Sequence, residues 1–291
     1  MNAKLLIVLI LIILTILFVK AKYGPFYYVG IYNMFPLPPG IEVKKDIKYG
    51  ENERLKLDVY YPRVEVKEEK PVVIFVHGGS WKSNSKDQFR FIGKNLAKRG
   101  YIAVLPNYRL VPDYRYPAQI KDVAKAFKWT ENNINSFGGT SNNIILSGHS
   151  AGGHLAALLG YSDYWQEKYN ISKKNIDYLV LLAGVYKFAD NYEEGSEVVK
   201  DFVPIKYWEE AQPALQLDYS DPSTFILQGL QDETVSPKQA DYLAKIMQKK
   251  DIKHKKILKE DLNHISLLFS FANRNHQIWN EIKFDKNIKT D

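Results

Sequence analysis

Short apolar runs alternate with amphipathic stretches along most of the chain, and the alternation sets the expected elements. "RLKLDVYYP" (Arg54–Pro62) alternates in the way a half-buried strand requires. "PVVIFVHGG" (Pro71–Gly79) is apolar and rich in branched residues without a break, as in a strand covered on both faces. Lys86 to Lys98 reads as a helix stopped by Gly100, and "YIAVLP" (Tyr101–Pro106) as the next strand. From Pro117 to Asn135 apolar residues recur at Ile120, Val123, Ala124, Phe127 and Ile134, a helical spacing. "NIILSG" (Asn143–Gly148), "IDYLVLLAG" (Ile176–Gly184), "STFILQG" (Ser223–Gly229) and "HKKILK" (His254–Lys259) read as strands. Ala151–Leu159, Pro237–Lys249 and Ile265–Ile282 read as helices.

Strands that alternate with helices of this length predict an α/β fold. Its mostly parallel central sheet is flanked by helices on both faces. Residues 185–222 break the rhythm with Trp208, tyrosines, prolines and acidic residues. They are expected to form a small cap-like insertion near the carboxyl ends of the strands, where open α/β sheets bind ligands.

The first 22 residues stand apart. Leu5 to Val19 is a 15-residue run, apolar except for Thr15 and flanked by Lys4, Lys20 and Lys22. As a helix it spans roughly 22 Å, short for a hydrocarbon core of about 30 Å. It matches a signal-peptide core, with Val19-Lys20-Ala21 as a passable cleavage site. Snorkelling lysines and Phe26-Tyr27-Tyr28 would equally let it serve as an uncleaved membrane helix. Residues 1–22 are therefore expected to be a membrane anchor or an export signal. Residues 23–42, with four prolines and two glycines, are expected to be a linker, and 43–291 the catalytic domain.

Composition narrows the chemistry. The 291 residues contain no cysteine, which excludes thiolate nucleophiles and cysteine-ligated zinc. The net charge is +7, but the lysines are scattered and no basic helix interleaves with aromatics, so nucleic-acid binding is not expected. Glu193, Glu194 and Glu197 read as a solvated acidic face. No phosphate loop or paired-carboxylate metal pattern is present, so neither cofactor nor metal is expected.

Gly148-His149-Ser150-Ala151-Gly152 fits the G-x-S-x-G elbow, in which serine occupies a strained turn between strand and helix. A serine nucleophile needs a base, and the base an orienting acid, here in the chain order Ser, Asp or Glu, His. His264 stands after the last strand and opens the last helix. His154 lies on the helix after Ser150 and reads as a packing residue, His254 as part of a solvated strand and His276 as mid-helix. Asp232 follows a strand's carboxyl end, with Glu233 as its neighbouring rival. Asp221 precedes that strand, and Asp261 is too close to His264 in sequence. "HGGSW" (His77–Trp81) follows an early buried strand, where glycines let backbone N–H groups approach a developing oxyanion. Gly79 with Gly78 or Ser80, and the N–H of Ala151, are the candidate donors. His77 is expected to tie the loop down. Tyr108, Arg109 and Asp122 should form a polar tie, and Trp129 and Trp279 should be core.

Five stretches resemble the carboxylesterase group of the α/β-hydrolases, which includes hormone-sensitive-lipase-like esterases, acetylxylan and feruloyl esterases, and kynurenine formamidases. They are "HGGSW", "NYRLVPDYRYPAQIKDVAKAFKW", "GHSAGGHLAALL", "GLQDETVSP" and "NHISLL", within residues 45–285. The resemblance implies an α/β-hydrolase fold, a triad of Ser150, Asp232 and His264, and hydrolysis of a small-molecule carboxylic ester. Ser80 stands where the lipase-like branch has a third glycine, so the loop is nearer the H-G-G-x-W form of the formamidase and xylan-esterase branches. An amide or formamide hydrolase, or a non-catalytic membrane-tethered module, are the alternatives the same features permit.

Overall fold

The computed structural model describes residues 3–23, 33, 36–63, 69–273 and 275–282. The strands are β1 Ile41–Lys48, β2 Lys56–Pro62, β3 Lys70–Val76, β4 Ile102–Pro106, β5 Gly139–His149, β6 Ile176–Leu182, β7 Ser223–Gly229 and β8 His254–Lys259. The helices are α1 Ala3–Tyr23, α2 Arg90–Lys98, α3 Ala118–Asn133, α4 Ala151–Tyr161, α5 Asp163–Lys168, α6 Glu197–Phe202, α7 Pro213–Gln216, α8 Lys238–Lys249, α9 His264–Ala272 and α10 Ile278–Glu281. One eight-stranded sheet has the order β1-β2-β4-β3-β5-β6-β7-β8. β2 runs antiparallel to both neighbours, and every pair from β4 through β8 is parallel.

The unbroken apolar runs are explained by burial on both faces. Ile74, Val104, Leu146, Leu179 and Ile226 point into one core with the inner sides of α3, α4 and α8. Their sequence neighbours Phe75, Leu105, Ile145, Val180 and Phe225 point into a second core with α2, α9 and α10. Strand side chains alternate between faces, so a strand covered twice is apolar at every position.

Several elements depart from the expected pattern. The helix expected over Lys86–Lys98 is a 3₁₀ turn over Lys86–Phe89 followed by α2, and α5 adds a short helix that was not expected. β1 has no sustained hydrophobic alternation to mark it, because its charged sequence IEVKKDIK suits a solvated edge. β5 begins four residues before the expected Asn143; its polar start, Gly139–Asn142, carries no hydrophobic alternation. The last helix is two helices. Asn273 leaves the helical region at ψ 107, and its Oδ1 accepts the Asn275 N–H at 3.1 Å, a local bond that competes with helix continuation. His276 consequently lies in the turn between them, not mid-helix.

Helix α1 forms as expected, with its apolar side chains from Leu5 to Phe18 exposed. The expected membrane-spanning helix is not supported, since among the described residues no helix is long and apolar enough to cross a membrane. Residues 24–32 and 34–35 of the expected linker, with Phe26-Tyr27-Tyr28, lie outside the described residues.

Candidate active site

The site gathers at the carboxyl ends of the parallel strands. Register pairs Val76 with Gly148, His149 with Leu182, and Gly229 with Lys259. The segments that follow β3, β5, β7 and β8 therefore emerge along one edge.

Ser150 sits between β5 and α4 with φ 55 and ψ −123, a conformation that costs on the order of 1–3 kcal/mol. Its N–H donates to Leu182 O at 2.9 Å, which ties the turn to β6. The glycines around it make close approach possible. A Cβ on Gly152 would lie 2.0 Å from Val76 O, and one on Gly148 would lie 2.3 Å from Gly152 O. The start of α4 thus rests on the end of β3, and Ser150 is held at the mouth of the HGGSW loop.

His264 is the first residue of α9. Asn263 caps that helix, accepting the N–H groups of Ile265 (3.1 Å) and Ser266 (2.9 Å), while Ser266 Oγ accepts the Asn263 N–H at 2.7 Å. His264 Nδ1 donates to Asp232 Oδ2 at 2.7 Å. That bond leaves Nε2 as the lone-pair nitrogen, the tautomer a general base needs. Asp232 is saturated. Oδ1 accepts the N–H groups of Thr234 (2.9 Å) and Val235 (2.8 Å), and Oδ2 also accepts Gln228 Nε2 at 3.0 Å. Burial works to raise the Asp232 pKa, but the His264 bond and the Val235 and Thr234 amides outweigh it and hold the carboxyl below its usual range.

His149, next to Ser150, joins the two halves. Its Nε2–H donates to the backbone carbonyl of His264 at 2.9 Å, and the two rings lie 4.4 Å apart. Burial, with the electrostatic influence of the neighbouring His264 adding to it, pushes the His149 pKa down to about 3, so the ring stays neutral.

The HGGSW loop is fixed through its carbonyls. Tyr108 OH donates to His77 O at 3.0 Å. His77 Nδ1 and Asn84 Nδ2 donate to Gly78 O at 2.9 and 3.2 Å. The N–H groups of Lys82 and Ser83 both donate to Gly79 O at 3.0 Å. The C=O and N–H of one planar peptide point in opposite directions. Each anchored carbonyl therefore aims the next N–H, those of Gly78, Gly79 and Ser80, the other way. Gly79, Ser80 and Trp81 all have positive φ, at 131, 52 and 57, which gives the loop its tight curl. A Cβ on Gly78 would meet Ser150 Cβ at 3.2 Å, so the loop borders the serine directly. His77, pushed down to about 3 by burial, is a neutral tether. Trp81 stacks on Phe202 of the insertion at 4.3 Å and meets the His154 ring edge-on at 5.1 Å. His154 is buried and donates Nε2–H to Ala211 O at 2.7 Å, a packing role.

The remaining residues fall as follows. Arg109 donates to both carboxylate oxygens of buried Asp122 at 2.8 and 2.7 Å. Trp279 is buried and Trp129 partly so. Glu193, Glu194 and Glu197 are exposed, as is Glu233. Asp221 lies at the opposite strand end and pairs with Lys173 at 2.9 Å. Gln228, Asn84 and Arg54 were not foreseen. Gln228 carried one signal, a lone amide inside the apolar run of β7. A cleft of about 1210 Å³ opens beside Asp232 and His264, lined further by Ile265, Phe269, Asn273 and His276; Ser150 is not among its lining residues.

An elbow serine, a carboxylate-bonded imidazole and a loop of aimed amides on an eight-stranded sheet of this order define the α/β-hydrolase class. The family model for BD-FAE matches residues 57–247, and the chain belongs to that family. Esterase LipC of Mycobacterium tuberculosis is 29% identical over 213 residues, 68% of this chain and 53% of its own length. Kynurenine formamidase of Danio rerio is 34% identical over 141 residues, 48% of this chain and 45% of its own. This chain spans about half the length of these curated relatives. Esterase B from Lactobacillus rhamnosis shares the fold, with a TM-score of 0.74 and 21% identity over 92% of this chain and 91% of that one.

Proposed function

We propose that the protein is a serine hydrolase that cleaves carboxylic esters with short to medium acyl groups. The observation that carries this reading is the 2.7 Å bond from His264 to a saturated Asp232, with the His264 backbone held by the residue adjoining Ser150. His264 Nε2 takes the Ser150 proton as Oγ attacks the ester carbonyl. Asp232 keeps the tautomer and stabilises the imidazolium. The amides of Gly78 or Ser80, Gly79 and Ala151 receive the oxyanion, the last at the positive end of α4. The alcohol leaves with the proton from His264, and water repeats the sequence on the acyl-enzyme. The name of the LipC relative supports an ester substrate, and that of the formamidase relative supports amide cleavage as a second reading. Ser150→Ala should lower p-nitrophenyl acetate turnover by at least about 10⁴-fold while leaving the fold intact; wild-type turnover would refute the reading. Parallel kcat/KM values for that ester and for an N-formyl arylamine decide between ester and amide.

The exposed apolar side chains of α1 support a second element of the proposal: this segment associates with a membrane, either as an anchor or as an export signal.

A further inference from the structure

The peptide between Gly78 and Gly79 is held from two sides. On one, the His77 ring reaches the carbonyl of its own neighbour. On the other, Asn84 returns from the far side of the loop and donates Nδ2–H to the same oxygen at 3.2 Å. Asn84 has φ 69, a left-handed conformation that asparagine tolerates better than most residues. A Cβ on Gly79 would lie 2.9 Å from Asn84 Nδ2, so this amide is packed directly against the peptide it bonds. Asn84 is itself held. Its backbone carbonyl accepts from the Arg54 guanidinium. Arg54 Nε donates to Tyr108 O at 2.6 Å, and Tyr108 OH donates to His77 O. The bonds close a ring through Arg54, Asn84, Gly78, His77 and Tyr108.

We propose that Asn84 is a positioning residue for the reaction: its side-chain amide sets the plane of the Gly78–Gly79 peptide and so aims the Gly79 N–H at the oxyanion. This rests on the serine-hydrolase reading above. Asn84 touches no reacting atom. Without its bond, the Gly78 carbonyl keeps only the His77 ring as a partner, the peptide between the anchored His77 and Gly79 carbonyls gains freedom to rotate, and the Gly79 donor loses alignment where charge develops. The cost falls on the transition state and not on ester binding.

Two variants test this. Asn84→Gly keeps the positive φ without strain and deletes the amide. Asn84→Asp keeps the shape and replaces the donor with a carboxylate that repels Gly78 O. Turnover is measured per site titrated with a fluorophosphonate, so that misfolded molecules do not count. In parallel, affinity is measured for a trifluoromethyl ketone, which forms a tetrahedral oxyanion adduct on the serine. Asn84→Gly should lower kcat by about tenfold with KM within about twofold, less than the 10²–10³-fold typical of deleting an oxyanion donor. Ketone affinity should weaken by the same factor as kcat/KM, and Asn84→Asp should lose more of both. Wild-type kcat and ketone affinity in both variants, with Ser150→Ala inactive, would overturn the proposal alone. Full turnover by Ser150→Ala would overturn the hydrolase reading and this proposal with it.

Discussion

Three buried histidines should make the protein sensitive to mild acid. His77, His149 and His154 are fully enclosed, and burial lowers their pKa values to about 3, about 3 and about 4. An unfolded histidine titrates near 6.5. Between these values the unfolded chain binds protons that the folded chain refuses, so stability rises with pH across the window and falls on acidification. The stabilising contribution is fully present above about pH 6.5. At pH 5 each group has lost about 1.5 units times 1.36 kcal/mol, or about 2 kcal/mol, and the three together about 6 kcal/mol. Asp221 works against them, because burial raises its pKa to about 6. Its folded form takes up a proton first, and this returns about 1 kcal/mol between pH 6 and 5. The net loss from pH 7.5 to pH 5 is about 4–5 kcal/mol, a large share of the 5–15 kcal/mol typical of a folded domain. Urea unfolding at the two pH values measures it directly. A change below about 1 kcal/mol, or NMR titration of these three rings near pH 6.5 in the folded protein, would refute the reasoning.

Arg109→Ala should destabilise the protein by about 3–5 kcal/mol, because it leaves the fully buried Asp122 carboxylate without its bidentate partner; a urea midpoint within error of wild type would contradict this. The full chain should co-sediment with phosphatidylcholine–phosphatidylglycerol vesicles, and a chain lacking residues 1–22 should not. Equal sedimentation of the two would remove α1 from any membrane role.

The parts of the site that could be read in advance are those whose chemistry is local. Ser150 announced itself through glycines two residues away on either side: the Gly148–Gly152 approach lies within the turn, although the Gly152 approach to Val76 shows only once β3 is in place. Asp232 and His264 were candidates from their place just past strand ends, once the strands were drawn from apolar runs, and the structure joins these two side chains. The supporting bonds were not readable. Arg54 reaches Asn84 across 30 residues, and His149 reaches His264 across 115. Nothing in the periodicity of either segment encodes such a partner. Gln228 is the intermediate case. An amide in the middle of "FILQG" had to find a partner once buried, yet only the loop geometry shows that the partner is Asp232. The same limit explains β1 and the split of the last helix. An edge strand needs no hydrophobic alternation, and the Asn273 bond that ends α9 competes locally with an apolar pattern that would otherwise continue.

The central claim is that the Ser150 hydroxyl is the nucleophile activated by His264 and Asp232. Peptide mapping by mass spectrometry after reaction with a fluorophosphonate tests it most directly. The account predicts a single phosphonylated residue, Ser150, with labelling lost in Ser150→Ala and slowed by several orders of magnitude in His264→Ala. Labelling at another serine, or labelling of Ser150 that proceeds at the wild-type rate without His264, would contradict it.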